Sequence, residues 1–263
     1  MKKYLVIGNP IEHSLSPKLH NYWIKSNNIS AIYEKQKLNK DEIESLVLKV
    51  KEKNIDGINV TVPFKKAVIP YLDRLSLEAE STQSVNTIYL ENDKVVGHNT
   101  DISGFELGIK NLKFKVPGKK ILILGAGGVV PSIIFALNKM KVSSISISNR
   151  TKDRAENLKN FFSNLKIINW GDVPEFDMII NATSVGLNKD DQLNLNLSKV
   201  GKNKFFYDVI YNPKETNFLK IGKKMGNETE NGKLMFIYQA FTAFKVWHGV
   251  EPEINNEVIK LLD

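Results

Sequence analysis

The chain has 263 residues, enough for one large domain or two small ones around a sizeable core, and its 42% hydrophobic and 25% charged content is that of a soluble globular protein. It contains no cysteine, which excludes a disulfide framework and thiolate chemistry and fits a reducing cytoplasm. The net charge of +8 is spread along the whole chain, with no basic block, zinc-finger spacing or RNA-binding aromatic signature. Nucleic acid is therefore not an expected partner, whereas steering of small anionic substrates is.

Met1-Lys2-Lys3 before Tyr4–Ile7 has the look of a signal peptide, but the apolar run is too short and Gly8-Asn9-Pro10 ends it as a strand ends. Pro17–Lys25 reads as a helix capped by Ser16, with Pro17 in its first turn. Ile32–Leu38 alternates as a strand, and Asp41–Lys53 has helical spacing through Ile43, Leu46, Val47 and Val50. Ile58, Val60 and Val62 form a further strand that Pro63 stops, and Lys65–Leu72 is expected to start a helix. Val85–Leu90 and Lys94–Gly97 flank Glu91-Asn92-Asp93 as a hairpin. From Lys119 the pattern restarts, with strand 120–124, helix to about Met140, strand 144–148 and helix 152–163. Strand-like runs follow at Leu165–Ile168, Met178–Ala182 and Phe205–Ile210, and Leu234–Asp263 is helical and aromatic-rich. No run approaches membrane-spanning length.

This β-α repetition with apolar strands predicts an α/β fold with doubly wound, mostly parallel sheets. Lys115–Lys119, which contains Pro117-Gly118, is the expected domain boundary. The expected organisation is an N-terminal α/β domain over residues 1–116, a second α/β domain over 117–233, and C-terminal helices of 234–263 packing back on the first.

Gly125-Ala126-Gly127-Gly128-Val129 directly follows the apolar run Ile121–Leu124. A strand that turns on glycines into a helix presents backbone N–H groups at the helix N-terminus, where a pyrophosphate can sit. An NAD site would place Asp or Glu about 20 residues on, to accept from the ribose 2′-hydroxyl. Here that region reads Asn149-Arg150-Thr151-Lys152-Asp153-Arg154. Of the chain's 37 basic residues only three are Arg, at 74, 150 and 154, so two of them fall within this stretch. A planar guanidinium matches a phosphate better than a lysine does, so the expected cofactor is NADP(H). The plainer reading is a solvated helix start capped by Asn149 or Thr151, and it is compatible with the first.

In the first half, polar residues recur where strands end: His13, Ser14 and Ser16; Thr61 and Lys65; Asn86; and Asn99-Thr100-Asp101. Open α/β sheets bind ligands at such ends. Singly, each has a local explanation as cap, turn or solvated charge.

Gly8-Asn9-Pro10-Ile11-Glu12-His13-Ser14-Leu15-Ser16-Pro17-Lys18-Leu19-His20-Asn21 resembles the opening signature of the shikimate dehydrogenases. The resemblance continues in order through Asn59-Val60-Thr61-Val62-Pro63-Phe64-Lys65, Val85-Asn86-Thr87, Gly97-His98-Asn99-Thr100-Asp101, the glycine loop and Asn149-Arg150-Thr151. It then runs through Asn181-Ala182-Thr183-Ser184-Val185-Gly186 and Asp208-Val209-Ile210-Tyr211-Asn212-Pro213, and from Gly232 to Gln239, spanning nearly the whole chain. It implies a two-domain NADPH-dependent oxidoreductase, with a substrate domain over 1–116, a Rossmann-like NADP-binding domain over 117–233 and the active site in the cleft between them, that reversibly reduces 3-dehydroshikimate to shikimate, a step in aromatic amino-acid biosynthesis. By position, Ser14 and Ser16 would hold the substrate carboxylate, and Thr61, Asn86, Tyr211 and Gln239 would complete the substrate site. Lys65 and Asp101 would contact ring hydroxyls and form the catalytic pair, with Lys65 as the proton-transfer residue. Gly125–Val129 would hold the pyrophosphate and Asn149–Arg154 the 2′-phosphate, while Val209 and Gly232 would lie beside the nicotinamide.

The chain departs from the family pattern at two places. Val130, followed by Pro131, stands at the third small position of the dinucleotide fingerprint, where it is expected to widen helix-on-strand packing. Ser81-Thr82-Gln83-Ser84 stands where family members commonly show Ile-Gly-Ala, placing polar groups beside Asn86. His13, His20, His98 and His248 are scattered, so no metal is expected. Trp23, Trp170 and Trp247 read as core or interface residues. Phe236, Tyr238, Phe241, Phe244 and Trp247 suit a buried helical face and a homodimer contact equally well. The competing readings are an NAD(H)-dependent quinate/shikimate dehydrogenase, which would carry an acid in place of Asn149-Arg150, and a metabolite sensor, which would be expected to lack Lys65 or Asp101.

Overall fold

Short strands, the central ones apolar, alternate with helices to build two six-stranded sheets. The computed structural model describes residues 1–112, 114–188 and 190–263. The chain divides into two units, residues 1–104 with 237–263 and residues 105–236.

The first unit contains β1 (Lys2–Gly8), α1 (Ser16–Ser26), β2 (Ala31–Lys37), α2 (Ile43–Lys51), β3 (Gly57–Val60), β4 (Arg74–Leu75), α3 (Leu77–Thr82), β5 (Thr87–Glu91), β6 (Lys94–His98) and the start of α4 (Asp101–Lys110). The second contains β7 (Lys120–Leu124), α5 (Val130–Lys139), β8 (Ser144–Ser148), α6 (Lys152–Glu156), β9 (Leu165–Ile168), β10 (Met178–Asn181), β11 (Phe205–Asp208), α7 (Asn217–Lys224) and β12 (Glu228–Glu230). Helix α8 (Lys233–His248) passes back into the first unit, where α9 (Asn256–Leu261) follows.

The first sheet has the order β2-β1-β3-β5-β6-β4. β1 is parallel to β2 and β3, whereas β5 runs antiparallel to β3 and β6. The hairpin forms as expected because Asn92 and Asp93 both adopt positive φ, +50° and +56°, which a two-residue turn of matching twist requires and which Asn and Asp tolerate. Alternation along β1 sorts its side chains to two faces. Leu5 and Ile7 join Ile58, Leu46, Val47 and Val50 in one core. Tyr4, on the other face, meets Trp247 of α8 at 4.9 Å between ring centroids. The Trp247 indole lies so close over Gly57 that a Cβ there would stand 2.3 Å from Nε1, which donates to the Ile88 carbonyl at 3.2 Å.

The second sheet, β12-β11-β10-β7-β8-β9, is entirely parallel. The chain steps outward from β7 through β8 to β9, then returns to β10 on the other side, so the order reverses between β7 and β10 as in Rossmann-like sheets. Ile121 to Leu124 are buried throughout, the signature of a strand covered on both faces.

Several expectations are corrected. Residues 65–72 form turns and a short 3-10 stretch, Ile69–Tyr71, because Pro70 lacks the N–H a helix needs there. The expected helix 152–163 ends at Glu156 and continues as a 3-10 turn to Asn160. Helix α2 begins at Ile43 after a 3-10 turn over Lys40–Glu42, where Asn39 and Glu42 form a capping box. Ser16 does not cap α1; Leu15 holds the cap position, without a side-chain cap bond. Val130 is accommodated fully buried at the start of α5. Trp23 and Trp247 are buried, and Trp170 packs against the core of the second unit. No helix among the described residues is long and apolar enough to cross a membrane.

His20 is fully buried, stacked on Tyr33 at 4.2 Å and flanked by Trp23, Phe244 and Trp247, with neither ring nitrogen hydrogen-bonded. Burial, and secondarily His248, pushes its pKa down to about 3. The folded state thus keeps the ring neutral while the unfolded chain takes up a proton below the ordinary value of 6.5. Stability present above that value is therefore lost as pH falls toward about 3, at ~1.4 kcal/mol per pH unit for one proton. His20→Leu is expected to lose less Tm than the unsubstituted protein between pH 7 and pH 5 in thermal melts; equal losses would contradict this assignment.

Candidate active site

Parallel pairing brings the loops after β1 and β3 together. Thr61 N–H donates to Ile7 O at 2.9 Å, Asn9 N–H to Val62 O at 3.0 Å, and a Cβ on Gly8 would stand 2.5 Å from the Thr61 methyl. Because β5 runs antiparallel, its beginning lies at this same edge, and so does the end of β6: Thr87 pairs with Asn59 on one side and His98 on the other. Ser14, Ser16, Thr61, Lys65, Asn86 and Asp101 all fall in segments that begin or end strands along this edge or, for Lys65, that hydrogen-bond to one.

Asp101 opens α4 with its side chain 8% exposed. Its Oδ2 pairs with the Lys65 ammonium, and its Oδ1 accepts from Asn86 Nδ2 at 2.9 Å. Lys65 is itself located by its carbonyl, which accepts from Val85 N–H at 2.8 Å, and by Phe64 and Val68, buried on either side of it in sequence. Asn86 is nearly saturated: its Nδ2 also donates to Thr100 Oγ1, and its Oδ1 accepts from Thr100 N–H at 2.8 Å and from Thr87 Oγ1 at 3.0 Å.

Buried Asn59 and Tyr33 extend this lattice, although the sequence reading assigned neither a site role. Asn59 Nδ2 donates to Asn86 O at 3.0 Å and Thr87 Oγ1 at 3.1 Å, while Tyr33 Oη donates to Asn59 Oδ1 at 2.6 Å. Ser16 lies beside the Tyr33 hydroxyl, and its N–H donates to Ser14 Oγ at 3.3 Å. A hydrogen-bonded path therefore joins Tyr33 to Lys65 through Asn59, Asn86 and Asp101. The signal for Asn59 was legible, since an amide between Ile58 and Val60 in a short apolar strand needs buried partners. Gln239 lies half-buried on α8 in the same unit.

In the second unit, Gly125 leaves β7 at φ +107°, and a Cβ there would stand 2.8 Å from Ala182 O. Its N–H donates to Ser148 O at 2.8 Å, which sets the glycine loop directly beside the end of β8 and hence beside Asn149-Arg150. Helix α5 then begins at Val130 with no side-chain cap bond, and apart from its chain neighbours the Cβ position on Gly127 meets only Ala182 O, at 3.9 Å, among the described residues. This backbone suits a phosphate at a helix N-terminus. Arg150, Thr151, Lys152, Asp153 and Arg154 are exposed, and neither guanidinium has an ion pair among the described residues. Thr151 occupies the cap position of α6 without a side-chain cap bond, while Asn149 Nδ2 donates to Thr151 O at 2.7 Å.

Val209 and Gly232 also come together. A Cβ on Gly232 would stand 2.1 Å from Val209 O, and Gly232 N–H donates to Ile210 O at 3.2 Å. Asp208 supports this segment from beneath, accepting from Thr216 Oγ1 at 2.6 Å, Ile210 N–H at 3.0 Å and Asn181 Nδ2 at 3.1 Å. Burial raises the Asp208 pKa above the usual carboxylate range, against the pull of these donors. Tyr211 is stacked on Phe236 at 4.5 Å, and burial pushes its phenol up to about 12.

Residues 6–88 match the family model for the shikimate dehydrogenase substrate binding domain, and residues 106–215 match that for shikimate/quinate 5-dehydrogenase. The shikimate dehydrogenase (NADP(+)) of Pelagibacter ubique is 58% identical over 262 residues, which is 100% of this chain and 99% of that protein. The chain belongs to the shikimate dehydrogenase family. Among solved structures, a shikimate dehydrogenase in complex with NADP+ aligns at a TM-score of 0.93 with 35% identity, covering 100% of this chain and 94% of that one. The enzyme of Thermus thermophilus in complex with NADP(H) and shikimate aligns at 0.90 with 29% identity, covering 100% and 97%.

The contact at Gly232 yields a direct test. Gly232→Ala is expected to push the Val209 backbone aside and raise KM for the nicotinamide cofactor by about tenfold or more, with a smaller change in KM for the substrate. Steady-state kinetics with each component varied would check it, and an unchanged cofactor KM would contradict the expectation that Val209 and Gly232 lie beside the nicotinamide.

Proposed function

We propose that this chain catalyses the NADPH-dependent, reversible reduction of 3-dehydroshikimate to shikimate, with Lys65 and Asp101 as its catalytic pair. The observation that carries the assignment of the pair is the ion pair itself: a 12%-exposed lysine and an 8%-exposed aspartate, held by Asn86 at the sheet edge where the family's substrate-binding segments converge.

When bound, NADPH supplies a hydride to the substrate ketone carbon. The carbonyl oxygen then develops negative charge, which needs a nearby positive group and a proton. Lys65 Nζ provides both in reduction and takes the hydroxyl proton in oxidation. Asp101 holds Lys65 in place and accepts from a ring hydroxyl, while Asn86 fixes the orientation of Asp101. Ser14 and Ser16 donate to the substrate carboxylate, and Thr61, Gln239 and Tyr211 complete recognition of the ring. On the cofactor side, Gly125–Val129 hold the pyrophosphate, Asn149–Arg154 the 2′-phosphate, and Val209 and Gly232 bound the nicotinamide.

The domain assignment that accompanies this reading is residues 1–116 with 234–263 for substrate and 117–233 for NADP(H). We place the enzyme in the cytoplasm, which the cysteine-free composition suits. We place it as a homodimer as well, a reading supported by the half-buried Tyr238 and Phe241 of α8.

The reaction is tested by following the reduced-nicotinamide absorbance with shikimate or quinate and NADP+ or NAD+. Reduction is expected with shikimate and NADP+; turnover confined to quinate and NAD+ would overturn the assignment. Lys65→Ala is expected to lower kcat by a factor on the order of 10²–10⁴ with cofactor affinity retained, and full activity would remove Lys65 from the mechanism. Arg150→Gln is expected to raise KM for NADP+ roughly ten- to a hundredfold and to leave KM for NAD+ nearly unchanged. Equal effects on both cofactors would contradict the 2′-phosphate contact.

A further inference from the structure

The polar run Ser81-Thr82-Gln83-Ser84 ends α3 and turns the chain toward Asn86. Gln83 closes the helix in the left-handed region at φ +47°, which leaves Thr82 as the last helical residue, 2% exposed and directed inward. Its hydroxyl donates to Glu78 O at 2.6 Å. A threonine hydroxyl has a single proton, so toward any other group this oxygen can act only as an acceptor. Asn99, 1% exposed, meets it at 2.9 Å through Nδ2. The Asn99 carboxamide is thereby oriented with its nitrogen toward Thr82 and its oxygen toward α4, where Oδ1 accepts from the Asp101 N–H at 3.1 Å.

We propose that Thr82 is a positioning residue for Asp101, acting through Asn99; this rests on the assignment of Lys65 and Asp101 as the catalytic pair. An apolar residue at 82 removes one acceptor from the buried Asn99 NH2 group. The Asp101 N–H still holds Oδ1, so the carboxamide shifts as a unit and draws the start of α4 with it. The Asp101 carboxylate moves in consequence relative to both Lys65 and Asn86. The polar residue that departs from the family pattern is in this way part of the support for the reacting groups.

The test compares Thr82→Val, which keeps the shape and loses the hydroxyl, with Thr82→Ser, which keeps the hydroxyl, using shikimate and NADP+. Thr82→Val is expected to lower kcat/KM for shikimate by about tenfold while KM for NADP+ stays within about twofold, the scale of one lost buried hydrogen bond. Thr82→Ala, which lacks the hydroxyl without adding a methyl, should show the same split, and Thr82→Ser should restore activity. Added to Asp101→Asn, the valine substitution should cause no further loss, because the residue it positions has already been disabled. Wild-type kinetics in Thr82→Val, an equal defect in Thr82→Ser, or a full additional tenfold loss on the Asp101→Asn background would each overturn the proposal. An Asp101→Asn enzyme as active as the wild type would instead fell the catalytic pair, and the role of Thr82 with it.

Discussion

The Asp101 carboxylate, almost wholly removed from water, is the constraint around which the first unit is arranged. A buried carboxylate is costly unless it is paired and hydrogen-bonded. Lys65 meets one oxygen and Asn86 the other, and each partner is held in turn by backbone at the same sheet edge. The antiparallel insertion of β5 makes this possible. It turns the beginning of one strand to the edge where its neighbours end, so that residues 61–65, 86 and 99–101 arrive together although they are scattered through the first hundred residues.

A side-chain amide network of this kind is rigid because few of its members retain spare hydrogen-bonding capacity. Asn86 alone engages Asp101, Thr100 and Thr87. Reversal of the Asn86 carboxamide would set its NH2 group against the Thr100 N–H, so the bonds around Lys65 and Asp101 select one arrangement. Tyr33 is tied into the same lattice through Asn59, and Ser16 lies beside the Tyr33 hydroxyl.

The second unit solves a different problem with related means. Parallel strands leave their carboxyl ends together, and a dinucleotide needs backbone rather than side chains close to its phosphates. Gly125 and Gly232 supply the close approaches, against Ala182 and Val209 respectively. Asn181 and Asp208, at the ends of adjacent strands, bind each other and the segments that follow them. Charge is left for the periphery, where Arg150 and Arg154 stand exposed beyond β8.

Strands β7, β8 and β9, the β5–β6 hairpin and the glycine loop were legible in the sequence, because each rests on local apolar runs or turn chemistry. Short elements were not. Helix α3 spans six residues and β12 three, too few to establish a period. Residues 65–72 looked helical from composition, yet Lys65 O accepts from the Val85 N–H and the segment closes in short turns around Pro70. The sequence alone determined the class of fold, the glycine loop and the residue types available for proton transfer, since these depend on near neighbours along the chain. Only the tertiary structure decided which hydrogen bonds Asn59, Tyr33, Thr82 and Asn99 make, because a bond between buried side chains depends on strand order and on which way each amide faces, and neither is written in local sequence.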